Sequence, residues 1–279
     1  MTGPIFVTRF APSPTGFLHR GHAYSALTAF VAAQLARGRF LLRIEDLDRT
    51  RCRPEFVTAI EEDLAWIGTA WDQPVRRQSH HLDAYSAALA SLEAKGLLYR
   101  CFKTRSDLES QIAGAPHGAM DAYRGAPLPA TEEARRVSAG EPYAWRLSLA
   151  AAERALGGFA GLTFAVEGEG FVQARPQLGG DVVLARKDGA MAYHLACVVD
   201  DALQGVTHVI RGVDLAEAAH VQRLLQALLD LPTPVYRHHR LLTGPDGKRL
   251  AKRDRAETLR DLRGRGMTAA ELRGEMGFD

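Results

Sequence analysis

Short apolar runs and amphipathic stretches alternate along the first hundred residues. Ile5-Phe6-Val7 predicts a strand, and Ala23 to about Ala36 predicts a helix stopped by Gly38. Arg39–Ile44 (RFLLRI) is a second strand-like run. Pro54 opens a helix in which Phe56, Ile60, Leu64 and Ile67 recur at helical spacing, and another spans about His81–Lys95, closed by Gly96. This βαβα order predicts a parallel sheet with crossover helices, whose ligands lie at the carboxyl ends of the strands.

The middle of the chain, Cys101–Gln177, is richer in Gly, Ala and Pro and weakly periodic, with short strand-like pieces such as Tyr143–Leu149. It reads as an insertion between two halves of the sheet. Asp181–Ala185 and Ala192–Val199 then resume as strand-like runs, with Asp200-Asp201 best read as the N-cap of a helical turn. Val206–Arg211 reads as a buried strand, Leu215–Leu229 as a helix and Pro232–Leu242 as extended chain. A turn at Gly244–Gly247 presents GKRLAKR, and Ala256–Phe278 holds one or two short helices without a core of their own. The expected organisation is residues 1–100 and 181–242 as the two halves of the sheet domain, 101–180 as the insertion, and 243–279 as a basic loop with a helical end.

Composition narrows the classes. The chain has 279 residues, 46% hydrophobic and 24% charged, as in globular proteins. No apolar run is long enough to span a bilayer and no leader stands at Met1, so no membrane contact and a cytoplasmic location are expected. Three cysteines, widely spaced, offer no disulfide framework. The net charge of +2 makes no general attraction for nucleic acid, but Lys248–Arg265 carries eight Lys/Arg against three Asp/Glu.

The candidate chemistry gathers at strand ends. Arg9–His22 reads RFAPSPTGFLHRGH: a strand end, a Pro/Gly turn and a helix start. Free N–H groups and the helix dipole make such a place an anion site. His19 and His22 can donate to phosphate oxygens there, and Gly21 lets a flat ring or a phosphate come close to the backbone. The plainer alternative is a pair of helix-capping histidines. Arg9 and Arg211 end strands and can fork onto carboxylates, whereas Glu45, after the second strand, suits an ammonium; a structural salt bridge is the alternative for Arg9 and Glu45. Asp46 and Asp48 read as groups that fix their own loop through backbone and Arg49 or Arg51.

RFAPSPTGFLHRGH, FLLRIEDLDRTR, AYHLACVVDD, HVIRGVDL and GKRLAKR, in this order, resemble the catalytic domain of class I glutamyl-tRNA synthetases. The resemblance covers nearly the whole chain and is weakest in the insertion. It implies an α/β fold: a Rossmann-type parallel sheet with an inserted α/β subdomain that meets RNA, and no anticodon-binding domain. It implies catalytic roles for His19, His22 and Lys252, and ATP contacts from His19, Gly21, His22, Arg249, Leu250 and Lys252, with Mg²⁺ on the phosphates. Glutamate contacts fall on Arg9, Phe10, Ala11, Pro12, Ser13, Glu45, Tyr193 and Arg211. Only about thirty residues follow GKRLAKR, which resembles the truncated branch of the family. That branch implies transfer of glutamate to the queuosine base at the wobble position of tRNA(Asp), gripped by its anticodon stem-loop, with a monomer expected. The alternatives are charging of a tRNA 3′ end and a non-catalytic RNA-binding relative. Relatives often hold zinc in the insertion through Cys-x-Cys, a Tyr and a further Cys. Here the pair reads Cys101-Phe102-Lys103, and after Tyr123 the next cysteine is Cys197, so no metal site is expected, with packing of Tyr99, Phe102 and Tyr123 in its place.

Overall fold

The computed structural model describes residues 5–104, 107, 123–242 and 257–278. In chain order these hold β1 (Val7–Phe10), α1 (Arg20–Leu35), β2 (Arg39–Ile44), α2 (Pro54–Trp66), β3 (Asp72–Arg77), α3 (Leu82–Ala94) and β4 (Leu98–Cys101). They continue with α4 (Ala130–Ser138), β5 (Ala144–Leu147), α5 (Leu149–Leu156), β6 (Thr163–Val166), β7 (Gly170–Gln173), β8 (Val183–Ala185) and α6 (Tyr193–Leu203). The last are β9 (His208–Gly212), α7 (Ala218–Leu228), β10 (Val235–His239), α8 (Leu259–Gly264) and α9 (Ala269–Glu275). Two compact units result: Met1–His80 with Gly205–Ala216 and Pro234–Asp279, and His81–Gln204 with Glu217–Thr233.

The first unit is a Rossmann-type α/β layer. β1, β2 and β3 are parallel in that order, with Arg9 opposite Leu41, and β9 runs parallel to β10. Thr207, just before β9, donates its N–H to the Val7 carbonyl and takes the Val7 N–H on its hydroxyl, so β1 and β9 begin at one edge. Their carboxyl ends therefore point the same way. The turn from α1 to β2 depends on Gly38: a Cβ there would lie 2.2 Å from the Phe6 carbonyl oxygen. Ala26, Leu27 and Phe30 of α1 and Ile60 and Leu64 of α2 bury against Phe40 and Leu42, and α8 and α9 add Leu259, Leu262 and Leu272. The C-terminal helices thus join the existing core, as their lack of a separate apolar pattern predicted.

In the second unit β4, β5 and β8 form an antiparallel sheet, with Tyr99 opposite Arg146, and β6 and β7 form a hairpin. Its buried knot is Asp181, which accepts from the Tyr99 hydroxyl at 2.9 Å, the Gly125 N–H at 2.7 Å and the Leu149 N–H at 2.9 Å. Three donors make the ionised carboxylate tolerable in the interior.

Several elements differ from expectation. β3 was not expected, because its sequence DQPVRR is polar and contains Pro74; it pairs only with β2, at the sheet edge where proline is tolerated. The run Ala192–Val199 is not a strand but most of α6. Short apolar runs do not distinguish strand from helix. Asp200 and Asp201 are therefore in the last turns of α6 rather than at an N-cap, and Asp200 is buried, taking the Tyr85 hydroxyl hydrogen bond at 2.9 Å. Among the described residues no helix is long and apolar enough to cross a membrane.

Candidate active site

The strand ends of the first unit concentrate buried charge. Arg9 is the penultimate residue of β1, Arg211 is the penultimate residue of β9, and Glu45 follows the last residue of β2. All three are nearly buried, as is Arg43. Arg43 and Glu45 are two apart on one strand and share a face. The Arg43 Nη2 donates to Glu45 Oε1 at 3.1 Å, which fixes the direction of that carboxylate. Arg43 escaped the sequence reading, although the two-residue spacing was its signal. The Arg211 guanidinium carbon lies 5.2 Å from the centre of the Tyr236 ring, a cation–π contact. Three buried guanidiniums and one carboxylate thus stand at or near the carboxyl ends of these parallel strands, where open α/β sheets bind their ligands.

The loop after β1 is tied down on both sides. Glu45 N–H donates to the Pro12 carbonyl at 3.0 Å and Arg53 N–H to the Pro14 carbonyl at 3.1 Å. Pro12 is buried, Ala11 half-buried and Ser13 exposed. Phe10 packs into the hydrophobic core, so its side chain is spent on the fold and its backbone is what faces the loop.

α1 begins at Arg20, three residues earlier than the apolar pattern suggested, because His19 caps it. The Gly21 N–H donates to His19 Nδ1 at 3.1 Å, and the His19 N–H donates to His22 Nδ1 at 3.2 Å. This is a reciprocal cap, with histidines in the places where Ser and Glu commonly stand. The rings lie 3.9 Å apart. Because each Nδ1 accepts, the hydrogen of each neutral imidazole sits on Nε2, and Nε2 becomes the donor. The capping alternative is thus what the geometry shows, and it places both rings at a helix N-terminus. Gly21 does admit a flat ring, but the ring is that of His19: a Cβ at Gly21 would lie 3.0 Å from His19 Cε1.

Asp48 accepts from the Thr50 hydroxyl at 2.6 Å and Arg51 Nε at 2.7 Å, bonds that hold it well below the usual carboxylate range. Asp46 does not serve its own loop. It takes the Ser79 N–H at 2.8 Å and the Ser79 hydroxyl at 2.7 Å, fastening the end of β2 to the turn after β3. Tyr193 opens α6 in the second unit, at 36% exposure. Arg249, Leu250 and Lys252 lie outside the described residues.

Residues 6–272 match the model of the family described as tRNA synthetases class I (E and Q), catalytic domain. The chain belongs to this family. The synthetase is 44% identical, over 98% of its own length and all of the relative's, to a Rhodobacter capsulatus protein named "Glutamyl-Q tRNA(Asp) synthetase". It is 41% identical to a Symbiobacterium thermophilum protein of the same name, covering 85% of that protein. Among solved structures it resembles a glutamate-tRNA synthetase from Elizabethkingia anophelis, with a TM-score of 0.75 and 28% identity over 90% of this chain; the match spans about half, 53%, of that longer chain.

The zinc held by some members of the family does not fit the described residues of this synthetase. Cys101 is buried and within hydrogen-bonding reach of the Tyr123 hydroxyl, which it and burial push up in pKa. Lys103 Nζ lies 5.6 Å and the Arg146 guanidinium carbon 4.6 Å from the centre of the Tyr123 ring. One thiol and one phenol beside two cations are a poor donor set for a divalent ion. The Tyr99–Asp181 bond and these cation–π contacts knit the same stretch. Phe102 takes part through Arg136, whose guanidinium carbon lies 5.5 Å from its ring centre.

Proposed function

We propose that this synthetase domain activates L-glutamate with ATP and passes the glutamyl group to the queuosine base at the wobble position of tRNA(Asp). The observation that carries the glutamate half is the buried set Arg9, Arg43, Arg211 and Glu45 at the strand ends. Glutamate carries two carboxylates and one ammonium. Arg9 and Arg211 take the carboxylates and Glu45, aimed by Arg43, takes the ammonium; Ala11 to Ser13 contribute backbone groups, and the family resemblance adds Tyr193 as a glutamate contact. The acceptor half rests on the near full-length likeness to proteins named for it.

In the first step a glutamate carboxylate oxygen attacks the α-phosphorus of ATP, the bond to the bridging oxygen breaks, and pyrophosphate leaves. The nucleophile is already ionised at neutral pH, so no general base is required. The Nε2 donors of His19 and His22 stabilise the charge that grows on the phosphate oxygens. Mg²⁺, carried by ATP, would supply further neutralisation, and Gly21, Arg249, Leu250 and Lys252 would complete the triphosphate contacts. In the second step a queuosine hydroxyl attacks the acyl carbon and AMP leaves. The protein works as a cytoplasmic monomer in this reading.

Glutamylation of tRNA(Asp) with and without queuosine is the decisive experiment. Labelling only of the queuosine-containing tRNA is expected, and equal labelling of both would overturn the acceptor. Charging of the 3′ end has its own support, since the chain is 40% identical to a Dinoroseobacter shibae "Glutamate--tRNA ligase 2" and covers 59% of it. Nuclease mapping of the labelled fragment separates the two. Binding of the tRNA is expected to weaken steeply with salt, because the arginine-rich Arg249–Arg265 stretch would track phosphates.

A further inference from the structure

Asp63 breaks the pattern of the helix that carries it. It sits on α2 between Ile60 and Leu64, is 1% exposed, and neither carboxylate oxygen accepts a hydrogen bond from any described residue. Its counter-charge comes from α8, where Arg263 Nη2 stands 3.8 Å from Oδ1. The same guanidinium lies 3.6 Å from Glu62 and caps the Trp66 ring at 6.0 Å. Arg260 of α8 adds positive charge and Glu62 of α2 negative charge, while Arg273 of α9 bonds the Ile67 carbonyl beyond the helix end. A buried carboxylate without hydrogen bonds destabilises the seam in which it lies.

That seam leads to the candidate triphosphate site. The residue before α8, Thr258, forms an antiparallel bridge with His19, and the first residue of α8 donates its N–H to the Leu18 carbonyl at 2.8 Å. Leu259 and Leu262 of α8 are buried in the same core as Leu18. A shift of α8 against α2 therefore moves the backbone of Leu18 and His19, and with it the first turn of α1.

We propose that Asp63 is a positioning residue: in its ionised form it holds Arg263, and so sets α8 and the His19 backbone in the productive register. Burial pushes the carboxyl of Asp63 up to about 6, against the pull of Arg263 and Arg260. Above that pH the ion pair exists; as pH falls through it, the carboxyl becomes neutral and the hold on α8 is lost. Folding responds with the opposite sign. The raised pKa means that the neutral form suits the folded seam better, so the stability associated with this group is present at low pH and lost as pH rises through about 6.

This inference rests on the proposed role of His19, and the test separates the two. Glutamate-dependent ATP–pyrophosphate exchange is measured between pH 5 and 8.5 for the wild-type chain, Asp63→Asn, Asp63→Glu and Arg263→Met. The wild type is expected to lose kcat on an acid limb near pH 6. Asp63→Asn flattens that limb and lowers kcat at pH 8 by about tenfold, a size in keeping with small misplacements of catalytic groups, with KM for glutamate unchanged and thermal stability equal or higher. Asp63→Glu restores the limb. Arg263→Met, which keeps the packing over Trp66, leaves Asp63 nothing to hold, so it likewise flattens the limb and lowers kcat at pH 8; it covers the case in which Asp63→Asn does not fold. Profiles of Asp63→Asn or Arg263→Met that overlay the wild type would overturn the positioning role. Absence of exchange in the wild type would instead overturn the proposed activity.

Discussion

The two units both bury charge, and they use it differently. In the antiparallel sheet unit, Asp181 is enclosed by three donors from its own neighbourhood, Tyr99, Gly125 and Leu149, and its negative charge is absorbed by the fold. In the parallel sheet unit, the buried Arg9, Arg43, Arg211 and Glu45 stand at or near the ends of strands. A closed knot adds rigidity and asks nothing of a ligand. Charged groups at the carboxyl ends of parallel strands instead stand where open α/β sheets bind their ligands. The lesson is that burial alone does not identify function; the place of the buried charges in the fold does.

Substitutions should divide along this line. The largest effect is expected for His22→Ala. It removes one Nε2 donor and the cap on the His19 N–H, and glutamate-dependent pyrophosphate exchange should fall by about 10²- to 10³-fold, with about 1 kcal/mol lost in denaturant unfolding. A loss of stability without a loss of exchange would place the histidines with Asp181 as structural groups. Next is Glu45→Gln, which removes a charge-assisted contact of about 1.5–3 kcal/mol, so KM for glutamate should rise roughly 10- to 100-fold. An unchanged KM measured by exchange kinetics would mean that Glu45 serves only Arg43. The smallest is Tyr99→Phe in the other unit. Asp181 keeps two donors, so urea titration should show a loss of about 1 kcal/mol while KM for glutamate and ATP stays put. A shifted KM there would erase the contrast between the units.

Much of the parallel unit was legible in the chain, because its signals are local. Phe56, Ile60 and Leu64 mark α2 by spacing, and Arg39–Ile44 marks β2 by its apolar run. The histidine pair was legible for the same reason: cap, glycine and helix start fall within four residues. The antiparallel unit was harder. Its strands have three or four residues, too few for a period to register, and Asp181 gains meaning only when Tyr99 and Leu149 converge on it from far along the chain. α6 was misread because a buried helix and a buried strand are both continuously apolar over eight residues. Asp63 was invisible for a different reason. On its helix it looks like one more polar position, and only the packing of α8, two hundred residues later, encloses it.

The reciprocal cap at His19 and His22 has a consequence for how such a site can change over generations. Each ring supports the other's backbone through Nδ1, so the pair behaves as a single inherited unit. A lineage that loses one histidine leaves the second poorly aimed and with little left to preserve. Gly21 belongs to the same unit, since a Cβ there would press on the first ring. A change at any one of these three positions therefore weakens the support of the other two.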